Sequence, residues 1–189
     1  MNKSHLDYTL RIRLPIIVFI AVISATATYF VSRAERDQVG YSPTQPIAFS
    51  HKLHAGTMQI DCKYCHVGVT SSAHALVPAV STCINCHAIA KKDSPEIKKL
   101  TAYYEAGIAL PWKRVHKVPD YAYFNHSAHV NAGISCETCH GNVENMDADV
   151  EVRDFTMAEC LNCHRNAPTV LANIPGIKKG PDNCWTCHR

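Results

Sequence analysis

Hydrophobic positions are concentrated near the start of the chain. Residues 14 to 31, LPIIVFIAVISATATYFV, run for eighteen positions without a charge. At about 1.5 Å per helical residue they span roughly 27 Å, close to the hydrocarbon core of a bilayer. Pro15 stands near the start of the run, where a helix tolerates proline. The pattern predicts a transmembrane helix over 14–31. Ala25-Thr26-Ala27 resembles a signal-cleavage box, but the segment is read as an uncleaved signal anchor. Lys3, Arg11 and Arg13 precede it, whereas Arg33 and Arg36 beyond it are offset by Glu35 and Asp37. The positive-inside rule then keeps residues 1–13 in the cytoplasm and sends the rest across, to a bacterial periplasmic face. Ala21, Ser24, Ala25 and Thr28 form a small-residue stripe of the kind that lets membrane helices approach closely.

Beyond the anchor the pattern is weaker. Residues 32–48 carry Gly and two Pro and read as a linker. Residues 94–107, SPEIKKLTAYYEAG, predict a helix: Ser94 caps it, Pro95 suits its first turn and Gly107 ends it. Ile97, Leu100 and Tyr104 share one face, against haem or protein, while Lys91, Lys92, Lys98 and Lys99 read as solvated. No stretch alternates as a strand would. The expected fold class is mainly α and irregular.

Cysteine spacing changes the picture. The ten cysteines fall as Cys62/Cys65, Cys83/Cys86, Cys136/Cys139, Cys160/Cys163 and Cys184/Cys187. Each pair is followed at once by a histidine: His66, His87, His140, His164 and His188. C-x-x-C-H in five of five pairs, using every cysteine, is the c-type haem attachment signature. Two thiols add to the two vinyl groups on one porphyrin edge, and the next residue turns its imidazole to the iron as proximal ligand. Zinc sites of the Cys₄ or Cys₂His₂ type leave the trailing histidines unexplained. Thioether formation also consumes the thiols that disulfides would need.

Five haems on so short a chain leave too little polypeptide for a conventional core around each. The haems themselves must form much of it. The formal charge of +3 therefore says little, because each haem brings two propionates. It gives no ground for a nucleic-acid partner.

The sequence is also duplicated. FSHKLHAGTMQIDCKYCH begins at Phe49 and FNHSAHVNAGISCETCH at Phe124. Both read F-x-H-x-x-H, then an isoleucine two before the first cysteine, then the motif. TCINCH at 82–87 corresponds to ECLNCH at 159–164. The haem domain, 49–189, thus reads as a two-haem unit (49–93) and a three-haem unit (111–189). An iron that only carries electrons needs a second axial ligand. His51, His54, His74, His116, His126, His129, Met58, Met146 and Met157 are available outside the membrane, enough to close all five irons. Trp112, Tyr121 and Tyr123 read as haem-packing aromatics. No catalytic residue is expected.

The F-x-H-x-x-H motif resembles that of class III multihaem cytochromes. That resemblance implies His51 as distal ligand to the haem of His66, His54 to that of His87, His126 to that of His140 and His129 to that of His164. It also points to Met157, three residues before Cys160, as the fifth, with His116 and then His74 as rivals. The anchor, the five motifs, the duplication and P-W-x-R-V-H-x-V-P-D at 111–120 together resemble the membrane-anchored pentahaem cytochrome c subunit of alternative complex III, over essentially the whole chain. The resemblance implies an electron-transfer subunit of a quinol-oxidising respiratory complex in the bacterial inner membrane. Its implied partners are integral quinol-binding subunits, an iron–sulfur subunit, a monohaem cytochrome c and a haem–copper oxidase. Two other readings share the motifs: an anchored quinol dehydrogenase of the nitrite and nitrate reductase systems, and a catalytic multihaem reductase with one open iron.

Overall fold

A computed structural model describes residues 3–33 and 39–189. The chain divides into two compact units, Met1–Arg36 and Asp37–Arg189.

The first unit is one continuous helical rod: α1 (Lys3–Tyr8), a π-helical stretch (Thr9–Arg13) and α2 (Leu14–Arg33). The π stretch lies immediately before Pro15. Proline cannot bond to the preceding turn and its ring crowds the carbonyl four residues back, so wider local winding relieves both. His5–Val31 contains an 18-residue window of mean hydropathy 2.2 and is long and apolar enough to cross a membrane. The helix thus extends on both sides of the expected 14–31.

The second unit is built of short helices. A π turn (Lys52–Thr57) precedes α3 (Cys62–Cys65) and α4 (Val80–His87), followed by α5 (Pro95–Glu105). After an extended stretch come α6 (His126–Asn131), α7 (Glu137–His140), a 3₁₀ turn (Val143–Asn145), α8 (Met157–Val170) and α9 (Cys184–Cys187). No strand occurs among the described residues. The fold is mainly helical, as the absence of alternating stretches implies.

Its apolar core is small. Ile47, Val80, Ile97, Leu100 and Leu110 form one buried cluster, with Cys83, Ile84, Tyr103 and Trp112 packed against it. This seats α5 on α4. Ser94 occupies the N-cap place of α5 without a side-chain cap bond. Ile97 and Leu100 are buried as expected, but Tyr104 is exposed and its neighbour Tyr103 takes the packing role.

The expected linker 32–48 is divided. Residues 34–38 lie outside the described residues. Residues 39–48 are bonded into the haem domain. Gly40 N donates to Glu151 O at 2.7 Å and Glu151 N to Tyr41 O at 2.9 Å. Gln45 exchanges two bonds with the backbone of Lys113, and Ala48 N donates to Glu96 Oε2. Ile47 is part of the core.

Candidate haem sites

Each C-x-x-C-H motif lies on a helix or a single helical turn. Positions i, i+3 and i+4 share one helical face, so this local shape turns both thiols and the imidazole toward the same side. Caps set several of the turns. Asp61 accepts from Lys63 N at 2.7 Å, Asn183 from Thr186 N at 3.2 Å and Thr156 from Glu159 N at 3.3 Å. None of the ten cysteines is paired in a disulfide.

The F-x-H-x-x-H repeats have the same shape as well as the same letters. Phe49 stands edge-on to His51 at 5.0 Å and stacks on His54 at 4.4 Å. Phe124 stands edge-on to His126 at 4.8 Å and stacks on His129 at 4.5 Å. The phenylalanine is thus a backing plate that fixes the plane of two imidazoles.

Three of these histidines face a motif histidine. The ring centroids of His54 and His87 are 6.1 Å apart, those of His126 and His140 6.5 Å, and those of His129 and His164 6.0 Å. An imidazole nitrogen binds a metal at about 2 Å and lies just over an ångström from its ring centre, so two imidazoles on opposite sides of one metal have centroids about 6 Å apart. The three pairs therefore fit an iron between them. His51 and His66 make no such ring contact among the described residues. His66 lies close enough to act on the charge of His51.

Backbone carbonyls hold the other ring nitrogen. Nδ1 of His66 donates to Leu76 O (2.7 Å), that of His87 to Ala90 O (2.9 Å), that of His188 to Tyr121 O (3.0 Å) and that of His164 to Pro181 O. On the other side Nδ1 of His54 donates to Ser50 O (2.9 Å), that of His126 to Ala73 O (2.8 Å) and that of His129 to Asn125 O (2.8 Å). A donor role at Nδ1 fixes the tautomer and leaves the Nε2 lone pair to a metal. Leu76 adopts φ +64°, the left-handed region, to aim its carbonyl. Backbone strain of this kind concentrates at functional sites.

Burial also keeps the rings neutral, the form that binds metal. Burial lowers His140 to about 4, and the neighbouring imidazoles of His116, His126 and His66 add to the effect. Burial likewise lowers His51, His129 and His116; Asp149 opposes it at His51 and His116.

The candidates for the fifth distal place are separated. Met157 is the first residue of α8 and 65% exposed. His74 is exposed on the loop after the first motif. His116 is half-buried, with Nδ1 3.5 Å from Asp149 Oδ2 and a buried Nε2 that has no hydrogen-bond partner. Its ring stands edge-on to His140 at 4.4 Å, too close for the two to share one iron. Among the described residues, the ring recorded against His188 is that of Tyr121, at 5.9 Å. Trp112 packs on the protein core, whereas Tyr121 and Tyr123 are exposed.

The sequence did not reveal Asp149. It sits nine residues past His140 in an irregular stretch, where a lone aspartate carries no signal. The carbonyls behind the imidazoles are equally invisible, because any residue type supplies one.

Comparison with known proteins finds multihaem cytochromes c. The class III cytochrome C family matches residues 27–109, and the family of cytochrome c7 and related cytochrome c matches residues 122–189. The chain is 28% identical over 166 residues to the menaquinone reductase, multiheme cytochrome c subunit, of Nitratidesulfovibrio vulgaris (strain Hildenborough), covering 77% of each chain. Both halves of the chain thus resemble multihaem cytochromes c, and the likeness implies c-type haem and electron transfer.

Proposed function

We propose that the chain is the electron-transfer subunit of a quinol-oxidising respiratory complex of the alternative complex III kind, anchored in the inner membrane by residues 14–31 with the haem domain in the periplasm. The carrying observation is the set of three imidazole pairs at about 6 Å, five of whose six rings donate Nδ1 to a backbone carbonyl and leave Nε2 to a metal. Five c-type haems attach through Cys62 and Cys65, Cys83 and Cys86, Cys136 and Cys139, Cys160 and Cys163, and Cys184 and Cys187. His66, His87, His140, His164 and His188 are the proximal ligands. His54, His126 and His129 are distal to the irons of His87, His140 and His164. His51 serves that of His66 by its place in the repeat, and Met157 serves that of His188.

When bound, haem supplies one-electron transfer at an iron closed to outside ligands. The polypeptide does the rest. Phe49 and Phe124 fix the planes of the distal rings. The carbonyls behind Nδ1 make the imidazoles better electron donors and so favour the oxidised metal. Quinol-binding and iron–sulfur subunits would supply the electrons, and a monohaem cytochrome c or a haem–copper oxidase would take them.

The relative named for menaquinone reduction favours a second reading, in which a complex of the same build passes electrons to the quinone pool. Purification of the full chain from its native membrane tests both. Five thioether-bound haems per chain by mass, and co-purifying integral membrane subunits, are expected. Reduction of the haems by menaquinol supports the first reading; reoxidation of pre-reduced haems by menaquinone, with no reduction by menaquinol, supports the second. Zinc, or no bound porphyrin, would overturn both.

A further inference from the structure

We infer that the five attachment sites run in space in the order motif 2, motif 1, motif 3, motif 4, motif 5, with the two halves joined at motifs 1 and 3 and the ends of the path at motifs 2 and 5. The inference rests on the five-haem reading above.

The junction follows from a reciprocal pair of bonds. Ser127 N donates to Ser72 O at 3.1 Å, and Lys52 N donates to Met146 O at 2.9 Å. Ser127 and Lys52 hold the same place in the repeat, each directly after the first histidine of F-x-H-x-x-H. Ser72 and Met146 also hold the same place, six past the motif histidine (72 − 66 and 146 − 140). Each half therefore binds the ligand helix of the other with the segment that trails its own motif. Such an exchange is a local twofold, and a residue near a twofold axis meets its own counterpart. Cys62 and Cys136, the first cysteines of motifs 1 and 3, do so: their side chains are neighbours. His126 N donates to Ala73 O and Asn131 Nδ2 to Thr70 O on one side of this junction; Ser50 Oγ donates to Asp147 Oδ1 on the other.

The remaining steps lie within each half. His126 and His129 are three apart on α6, so their side chains are neighbours on one face. They face His140 and His164, which sets motif 4 beside motif 3. His51 and His54 have the same spacing in the first half, and His54 faces His87, which sets motif 2 beside motif 1. Motif 5 is tied to motif 4 by a consequence of Pro168. Proline inside α8 has no N–H for the carbonyl of His164, four residues back. Gly180 N takes that carbonyl at 2.8 Å, Pro181 O accepts from His164 Nδ1, and Arg165 meets Asp182 at 3.1 Å. The lead-in to Cys184 is thus wrapped around the fourth motif histidine.

A side-chain bond joins motifs 1 and 2 directly: Asn85 Nδ2, inside motif 2, donates to Tyr64 Oη, inside motif 1, at 3.2 Å. Motif 2, second in sequence, is a terminus in space. The two most exposed large apolar side chains described in the haem domain, Ile89 (87%) and Trp185 (80%), sit at motifs 2 and 5.

Iron positions from anomalous scattering, in crystals of the detergent-solubilised holoprotein, test the order. The iron of motif 1 is expected to have those of motifs 2 and 3 as its nearest neighbours. Five irons with motif 1 at an end, or with motif 2 next to motif 3, overturn the order alone. Fewer than five overturn the functional reading and the order with it. In solution, His66→Met changes the potential of one site. Redox titration resolved by haem-methyl NMR should then show shifted midpoints at motifs 2 and 3, with motifs 4 and 5 unmoved. A shift at motif 2 alone would give motif 1 a single neighbour and overturn the order. If His66→Met does not mature, the iron positions of the unaltered protein decide.

Discussion

Gly56 lies directly against the carbonyl oxygen of Glu144, and a Cβ at position 56 would run into it. The obstacle is backbone, which cannot swing aside as a long side chain can. It belongs to the segment that bonds Lys52 N through Met146 O, so the collision falls on the junction of the two halves. Gly56→Ala is expected to destabilise the holoprotein by about 1–3 kcal/mol, the usual cost of overfilling a close contact. A thermal melt followed by haem absorbance reads this. An unchanged melting point would show that the halves are not held together there.

Gly180 makes a similar approach to a ligand. A Cβ there would meet the His164 ring, with Cγ at 2.7 Å. The ring is held at Nδ1 by Pro181 O, so it has little freedom to turn away. Gly180→Ala should alter one low-spin electron paramagnetic resonance signal and leave the others in place. A spectrum identical to that of the unaltered protein would mean that the ring yields freely.

The legible part of this molecule is the part that covalent chemistry fixes. Cys62-x-x-Cys65-His66 and its four counterparts can be read because the thioether attachment proposed for them would allow little variation in spacing. The duplicated F-x-H-x-x-H was legible too, and Phe49 and Phe124 back their histidines with nearly identical geometry. What stands behind the rings was not. The acceptors at Ser50, Ala73, Leu76, Ala90 and Asn125 are carbonyls, which every residue carries. The packing of residues 39–48 was hidden for another reason: Gly and Pro read as linker, yet Ile47, directly after Pro46, is a core residue. Tyr103 and Tyr104 are adjacent, and of the two it is Tyr103 that packs on the polypeptide core.

The apolar core predicts how the chain behaves without its cofactors. Among the described residues, the buried hydrophobics of the haem domain are Ile47, Val69, Val80, Ile97, Leu100, Leu110, Val115, Ala167 and Leu171. So few cannot offset the conformational entropy of a domain this long. Chain produced without cytochrome c maturation should lose most helical circular dichroism in residues 39–189 and be cut rapidly by protease. Resistance equal to that of the holoprotein would show that the polypeptide carries its own core.

Met157 tests the fifth distal place. Its side chain is largely exposed, so exchange for leucine costs little in packing. If its sulfur binds the iron of His188, Met157→Leu converts one of five sites to high spin and opens it to carbon monoxide, because leucine offers no ligand in its place. Five low-spin sites in the variant would remove Met157 from the assignment. His116→Ala is the companion, because its Nε2 is already buried without a partner.

The angles between paired rings make the most specific prediction. His126 and His140 are nearly parallel, at 4°, His129 and His164 differ by 30°, and His54 and His87 by 60°. Parallel axial imidazoles lift the degeneracy of the iron orbitals that bond with their π systems, whereas crossed ones leave those orbitals closer in energy. Axial ligation is therefore readable in the magnetic anisotropy of each oxidised site. The site of His140 should give the most rhombic signal and that of His87 the most anisotropic of the three. His126→Ala should remove the rhombic signal and spare that of His87. Loss of the anisotropic signal instead would mean that His126 serves a different iron, and the repeat-based pairing would fail at that point.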